Sequence, residues 1–177
     1  MRHKTWYLFL TLLIIAITVA GCGKSPEALV NEVINTATQW LSGDVTGEVG
    51  KTYATDWFEF TIHSIEEVGA YAGYSPVDGC TLYDVVITET NIFDTAIPMG
   101  TFDFYMDDAS FEEYIWPIDP LDDTMMPEAF DLAPGETVRY HMVYEIPSDV
   151  TGLMLMYTEV DEEDNEGRTF TIHISRP

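Results

Sequence analysis

The sequence predicts an all-β domain, built as an antiparallel sandwich over residues 51–177. From Phe58 onward, apolar and polar residues alternate in short runs, the period-two pattern of strands with one buried face. Turns containing Gly and Pro separate these runs, and at least six strands can be recognised. Short strands at such intervals are typical of a sandwich.

The strands can be placed in order along the chain. Cys80 lies at the entrance to the second strand, where a small buried core residue is expected rather than a reactive thiol. The last two strands are expected to form a hairpin across residues 161–167. The six predicted strands are Phe58–Ile62, Leu82–Thr90, Phe102–Met106, Val138–Ile146, Leu153–Val160 and Arg168–Ser175.

A different pattern precedes the sandwich. Arg2 and Lys4 are followed by an uncharged apolar run from Trp6 to Val19, which is too short for a helix that spans a membrane. The run ends in Val19-Ala20-Gly21-Cys22, which resembles the lipobox of bacterial lipoproteins. That resemblance implies that residues 1–21 are a signal peptide that is removed. It also implies that Cys22 is lipidated and anchors the chain on the extracytoplasmic face of the cell membrane.

Residues 22–50 are predicted to hold the lipidated cysteine, a short amphipathic helix and a linker. Ser25 can cap a helix over residues 26–41, and Pro26 suits its first position. Apolar residues fall on one face of this helix at helical spacing. Either the helix packs on the following domain, or it binds a membrane surface or partner. Three glycines then mark residues 42–50 as a linker.

The charge of the chain excludes one class of function. Cleavage before Cys22 removes Arg2 and Lys4, so the mature chain has 7 − 2 = 5 Lys and Arg against 31 Asp and Glu, a net charge of −26. Nucleic-acid binding needs cationic groups that displace counterions from phosphates. The partners that this charge attracts are cations, namely metal ions and basic peptides or proteins.

Two sets of residues are candidate metal ligands. Asp161, Glu163, Asp164 and Glu166 offer the oxygen ligands that Ca²⁺ prefers, although their spacing does not fit an EF-hand. The alternative is a solvated hairpin tip. His63 and His173 end near-identical Phe-Thr-Ile-His segments, and neighbouring first and last strands would bring them together as zinc ligands. The alternative is two exposed strand histidines.

The longest irregular stretch, residues 107–134, is too apolar for simple disorder and is expected to pack on another part of the protein. Tyr114, Trp116, Met125 and Met126 are its candidate partner-binding residues, because aromatic and Met side chains are enriched at interfaces. The alternative is that the loop closes over the core and buries them. No hydrolase elbow, zinc-protease or phosphate-loop motif occurs in the sequence, so catalysis remains a minor alternative.

Four segments together resemble a known family. They are Trp57-Phe58-Glu59-Phe60, Tyr83-Asp84-Val85-Val86-Ile87-Thr88-Glu89-Thr90-Asn91, Leu132-Ala133-Pro134-Gly135-Glu136-Thr137 and Tyr144-Glu145-Ile146-Pro147. In this order they are similar to the uncharacterised immunoglobulin-like domain of Gram-positive surface lipoproteins, grouped with "immunoprotective extracellular" antigens. One departure is Asp107-Asp108-Ala109-Ser110, which lacks the glycine that the family often has after its third strand.

The resemblance implies an immunoglobulin-like β-sandwich and supplies no catalytic residues. The function we expect is therefore a non-catalytic binding module on the cell envelope, without a cofactor. A lipoprotein that binds Ca²⁺ or Zn²⁺ is the alternative, and a cell-envelope enzyme is a minor one.

Overall fold

A computed structural model describes residues 43–108, 113–160 and 166–174. The predicted signal peptide, Cys22 and the amphipathic helix lie outside these ranges, so their structure stays a prediction. The described residues belong to one compact unit that starts at Gly43. Its strands are β1 (Val45–Gly47), β2 (Thr52–Ala54), β3 (Phe58–Val68), β4 (Cys80–Asn91), β5 (Ile97–Met99), β6 (Phe104–Asp107), β7 (Phe130–Leu132), β8 (Thr137–Pro147), β9 (Met154–Val160) and β10 (Glu166–His173).

Eight of these strands form two four-stranded sheets, in the orders β2-β3-β4-β8 and β1-β10-β9-β6. All neighbours are antiparallel except β1, which runs parallel to β10. The order β3-β4-β8 matches strands A, B and E of an immunoglobulin domain, and β6-β9-β10 matches C, F and G. The prediction of an all-β, immunoglobulin-like sandwich is confirmed, and β5 and β7 add a separate two-stranded ribbon.

Aromatic rings fill the space between the sheets. Phe60 of β3 contacts Phe104 of β6 and Phe170 of β10, with ring centroids 5.3 and 5.4 Å apart. Tyr157 of β9 lies 5.2 Å from both Phe58 and Phe104 by the same measure. These side chains occupy the inward-facing positions of strands in which apolar and polar residues alternate. The period-two pattern of the sequence therefore produces the core directly.

Three local predictions are wrong. Val45–Gly47 lies in the predicted linker, yet it is strand β1 and pairs with Phe170–Ile172. Phe102 was predicted to share the buried face of a strand, but it lies in a 3-10 turn over residues 101–103 and is 51% exposed. Cys80 is half-buried rather than buried, because it is the first residue of β4. Phe102 and Cys80 lie at the ends of predicted strands, where periodicity is weakest, and β1 is a three-residue strand formed by backbone pairing with β10.

Residues 113–126 of the long loop pack against the edges of both sheets. Ile115 exchanges two backbone hydrogen bonds of 2.8 Å with Met106 on the edge strand β6. On the other sheet, the backbone N–H groups of Ile118 and Met126 donate hydrogen bonds to the carbonyl oxygens of Val143 and His141 on the edge strand β8. The loop therefore covers two strand edges that would otherwise be open to pairing with another chain. No helix in the described ranges is long and apolar enough to cross a membrane.

Candidate binding cleft

A cleft of about 560 Å³ opens at one end of the sandwich. It is formed by the start of β3, the β4–β5 connection, the 101–103 turn, β6, the long loop and the end of β9. Its volume is within the usual range of ligand pockets. The residues that line it are Trp57, Phe58, Phe93, Thr95, Ala96, Ile97, Pro98, Met99, Phe102, Asp103, Tyr105, Tyr114, Trp116, Tyr157, Thr158 and Val160.

Aromatic rings line the cleft in two groups. Trp57 and Phe93 meet edge to face, with centroids 5.0 Å apart. In the second group, Trp116 contacts Phe102 at 6.0 Å and Tyr105 at 5.4 Å. Tyr114 stacks on Tyr105 at 4.4 Å. Phe93, Phe102, Tyr114 and Trp116 are 39–52% exposed, so these rings support one another while leaving part of each ring open to a ligand.

Asn91 positions the first group of rings. Its side-chain amide is buried, and Nδ2 donates 2.8 Å hydrogen bonds to the carbonyl oxygens of Thr95 and Leu132. Its Oδ1 accepts a 2.7 Å bond from the backbone N–H of Phe93. The side chain thereby replaces backbone pairing in an irregular segment and fixes the connection that carries Phe93.

The 101–103 turn positions the second group. Gly100 precedes the turn and packs so closely on the backbone of Glu128 that a Cβ there would lie 2.2 Å from the Glu128 carbonyl oxygen. The Gly100 N–H donates a 2.7 Å hydrogen bond to Oδ2 of Asp103. This bond fixes the carboxylate on the wall of the cleft, directly before β6 and next to Phe102.

Two carboxyl groups at this end of the core have raised pKa values. Burial raises the pKa of Asp103 to about 6, and the Gly100 hydrogen bond only partly opposes this shift. Glu89 of β4 is 1% exposed, and neither of its side-chain oxygens has a hydrogen-bond partner. Burial, followed by repulsion from Asp103, raises the pKa of Glu89 to about 8. At neutral pH, Glu89 is therefore mostly protonated, whereas Asp103 is mostly ionised.

The structure divides the predicted partner-binding residues. Tyr114 and Trp116 line the cleft and are 52% and 43% exposed. Met125 and Met126 are 3% and 1% exposed, so for these two residues the alternative, burial by the loop, is the correct one. The reason is the register of the loop: Met125 packs with Leu82 and Val143, and Met126 joins the main core.

The two histidines predicted as a zinc pair lie in different sheets. His63 is on β3 and His173 is on β10, and both are exposed. The expectation that their strands are neighbours is wrong, because β10 lies between β1 and β9 in one sheet, whereas β3 belongs to the other. Among the described residues, no group of three or more His, Cys, Asp or Glu is arranged to hold a metal. Asp161, Glu163 and Asp164 and the Glu166 side chain lie outside what the structure describes.

Sequence reasoning missed four residues that line the cleft, namely Trp57, Phe93, Phe102 and Asp103. It also missed the buried Glu89, which interacts with Asp103. For Glu89 a signal was present, because Val85, Ile87 and Glu89 share one face of a strand. An acidic residue in register with apolar core residues is unusual, because burying a carboxyl group without a partner costs free energy, and such positions cluster at functional sites. The exposed rings gave no such signal, since their exposure depends on turns that only the folded chain defines.

Comparisons with known proteins define the class of fold. No protein-family model matches the chain, and neither does any curated protein. Among solved structures, it is similar to YcdA, a candidate lipoprotein of Bacillus subtilis, with a TM-score of 0.55 and 15% identity. The match covers 70% of this chain and only 38% of YcdA, so this chain spans well under half of that protein.

Two further similarities extend over nearly whole chains. The secreted protein MPT63 of Mycobacterium tuberculosis matches with a TM-score of 0.54 and 9% identity, over 74% of this chain and 98% of MPT63. An uncharacterised β-sandwich protein of Clostridium difficile matches with a TM-score of 0.50 and 16% identity, over 75% and 95% of the two chains. At these identities the likeness defines the fold: this chain is a β-sandwich of the kind found in secreted and uncharacterised bacterial proteins.

Proposed function

We propose that this protein is a lipoprotein, anchored by Cys22 on the extracytoplasmic face of the cell membrane, that acts as a non-catalytic binding module. The observation that carries the proposal is the aromatic cleft, in which four large rings stay 39–52% exposed although the fold offers them neighbours to pack on. Water-exposed rings that are held rigid by one another are typical of a surface that binds a partner.

The anchor and the location are proposed from the N-terminal sequence. The lipobox-like Val19-Ala20-Gly21-Cys22 follows a signal-peptide pattern, and one candidate lipoprotein and one secreted protein are among the chains of similar fold. The family resemblance adds a Gram-positive cell surface as the expected setting. A surface protein of this kind needs a tether and a binding face, and the sequence and the cleft supply candidates for both.

The anchor is tested by comparing the full-length chain with Cys22→Ala in a Gram-positive host. We expect the unchanged chain to incorporate labelled palmitate and to fractionate with membranes. Cys22→Ala is expected to lose the label and either to accumulate as the uncleaved form or to appear in the medium. Membrane retention without any lipid label in the unchanged chain would contradict the lipoprotein assignment.

Binding at the cleft is tested by selecting peptides from a random heptapeptide library. The target is the mature lipoprotein, held in nanodiscs of an uncharged glycolipid. Empty nanodiscs serve for counter-selection. Peptides that bind are expected to lose at least ten-fold in affinity against Trp116→Ala and to keep their affinity against Leu121→Ala. Leu121 is a matched control, because it is 42% exposed but does not line the cleft. Equal affinity for both variants would show that the cleft is not the binding surface.

A further inference from the structure

The walls of the cleft combine two features that rarely occur together on a surface. One is the set of exposed rings described above, whose faces attract cations as well as apolar groups. The other is the Asp103 carboxylate, which the Gly100 N–H holds in place between Phe102 and β6. Aromatic faces next to a fixed carboxylate are the chemistry that recognises an ammonium or guanidinium group.

The cleft contains no positive charge of its own. The described residues that line it include no Lys, Arg or His. Within the described ranges the basic residues are Lys51, Arg139 and Arg168. Arg168 is engaged by Glu159 and Asp56, and Asp103 forms no ion pair with any described residue. A carboxylate on the wall of a cleft therefore lacks the cation that would normally balance it.

Two further acidic residues adjoin lining residues of the cleft in the sequence. Asp94 directly follows the cleft residue Phe93, and Glu113 directly precedes the cleft residue Tyr114. Both acidic residues are exposed. Glu89, buried behind Asp103, is mostly protonated at neutral pH and adds little to this charge. The field of the whole chain, with a formal net charge of −24, acts in the same direction on an approaching partner.

We propose that the cleft binds a basic peptide segment, with a Lys or Arg side chain directed at Asp103 and apolar or aromatic flanking residues packed on Tyr114 and Trp116. This inference rests on the proposed function and adds the chemistry of the partner. A peptide fits better than a small free cation, because the exposed rings extend from Phe93 to Trp116 and offer more apolar surface than one ammonium group can cover.

The test uses synthetic peptides of the form Gly-Phe-X-Phe-Gly and Gly-Leu-X-Leu-Gly, with acetyl and amide ends, against the mature lipoprotein in uncharged glycolipid nanodiscs. X is Lys, Arg, norleucine or Glu. We expect Lys and Arg peptides to bind at least ten-fold more tightly than norleucine peptides, and Glu peptides to bind most weakly. Equal affinity for Lys and norleucine would overturn the proposal, while the proposed binding function would still stand if the norleucine peptides required Trp116.

Two variants then test whether the preference for Lys over norleucine depends on Asp103. Asp103→Asn keeps an oxygen that can accept the Gly100 hydrogen bond, and it is expected to reduce the ratio of Lys to norleucine affinity to about one. Asp123→Asn removes the same charge from an exposed position outside the cleft, so it is expected to leave the ratio unchanged. Thermal unfolding of both variants checks that they fold.

A general attraction to the acidic surface would instead lower the ratio equally in both variants, and that result would overturn the assignment to Asp103. Binding of free tetramethylammonium is measured as a final comparison. Tight binding of this ion that depends on Trp116, with no gain for the Lys peptides, would show that the cleft takes a small organic cation and would overturn the peptide as its occupant.

Discussion

Phe60 and Phe170 meet edge to face across the core, with ring centroids 5.4 Å apart and planes inclined at 80°. Each opens a Phe-Thr-Ile-His segment, one in β3 and the other in β10. The repeated segments therefore do not pair side by side. They lie in opposite sheets and pack against each other through their inward faces. Their Phe and Ile residues are therefore buried, and their His residues are exposed.

The first prediction concerns this core contact. Phe60→Ala removes a ring that is 2% exposed, and it is expected to lower the free energy of unfolding by about 3–5 kcal/mol, because apolar contact is lost and a cavity remains. Phe102→Ala is the matched control, since Phe102 is 51% exposed and should cost about 1 kcal/mol or less. Urea unfolding of both variants measures the difference, and equal losses would contradict the described core.

The second prediction concerns metals. Because His63 and His173 belong to different sheets, replacing both with Ala is expected to leave any effect of Zn²⁺ on the unfolding temperature unchanged. Ca²⁺ and Mg²⁺ are expected to give small, equal increases through screening of the acidic charge. A rise of roughly 5 °C or more with Ca²⁺ alone, lost on replacing Asp161 and Asp164, would instead establish the calcium site at the hairpin tip.

The third prediction concerns Glu89 and pH. Its pKa is about 8 in the folded protein against an ordinary value of 4.5, so between these values the folded state binds more protons than the unfolded state. The contribution of Glu89 to stability is therefore expected to fall as the pH rises through this window, by up to about 5 kcal/mol. Glu89→Gln cannot ionise, so its stability relative to the unchanged protein is expected to increase from pH 5 to pH 8.5.

Unfolding in urea at the two pH values measures this effect. Glu66→Gln is the control, because Glu66 is exposed and its replacement should leave the pH dependence of the unchanged protein in place. Parallel pH profiles for the unchanged protein and Glu89→Gln would show that the Glu89 carboxyl group is not isolated in the core.

The fourth prediction concerns the ion pair that ties the last hairpin to the start of β3. Arg168 donates through Nε and Nη2 to the two oxygens of Glu159, at 2.8 and 2.7 Å, and Nη2 also reaches Asp56 at 3.1 Å. Glu159 is 7% exposed, so Arg168→Met leaves a nearly buried carboxylate without its cation. The expected loss is about 3–5 kcal/mol.

Arg168→Lys keeps the charge but not the two-point geometry, and it is expected to recover part of this loss. Arg139→Met serves as the control, since Arg139 is exposed and its replacement should change stability little. If Arg168→Met and Arg139→Met unfold at the same urea concentration, the ion pair contributes nothing to stability.

The fifth prediction concerns the wall of the cleft. Gly100→Ala would bring a Cβ into the Glu128 carbonyl, so the backbone must shift, at a cost of about 1–3 kcal/mol. Gly69→Ala is the control, because a Cβ at Gly69 meets nothing within 4 Å. Peptides that bind the cleft should also lose affinity against Gly100→Ala but not against Gly69→Ala. Unchanged stability and affinity would mean that this close approach does not position Asp103.

By itself, the sequence determined the architecture. Alternation over Val138–Ile146 and Leu153–Val160, with turns between the strands, was sufficient for an antiparallel sandwich, because one buried face per strand leaves a period-two pattern in the chain. It also indicated that the apolar loop around Trp116 must pack on another part of the protein, since so many apolar side chains cannot all remain in water.

Only the tertiary structure decided which residues share a site. Trp57, Phe93 and Trp116 lie far apart in sequence, and turns that bring them to one cleft depend on contacts such as those of Asn91 and Gly100. The same holds for Met125, which the loop register buries. Periodicity reports which face of a strand is buried, but it carries no information on which sheet a strand joins, because hydrogen bonding between strands is made by backbone groups that every residue shares.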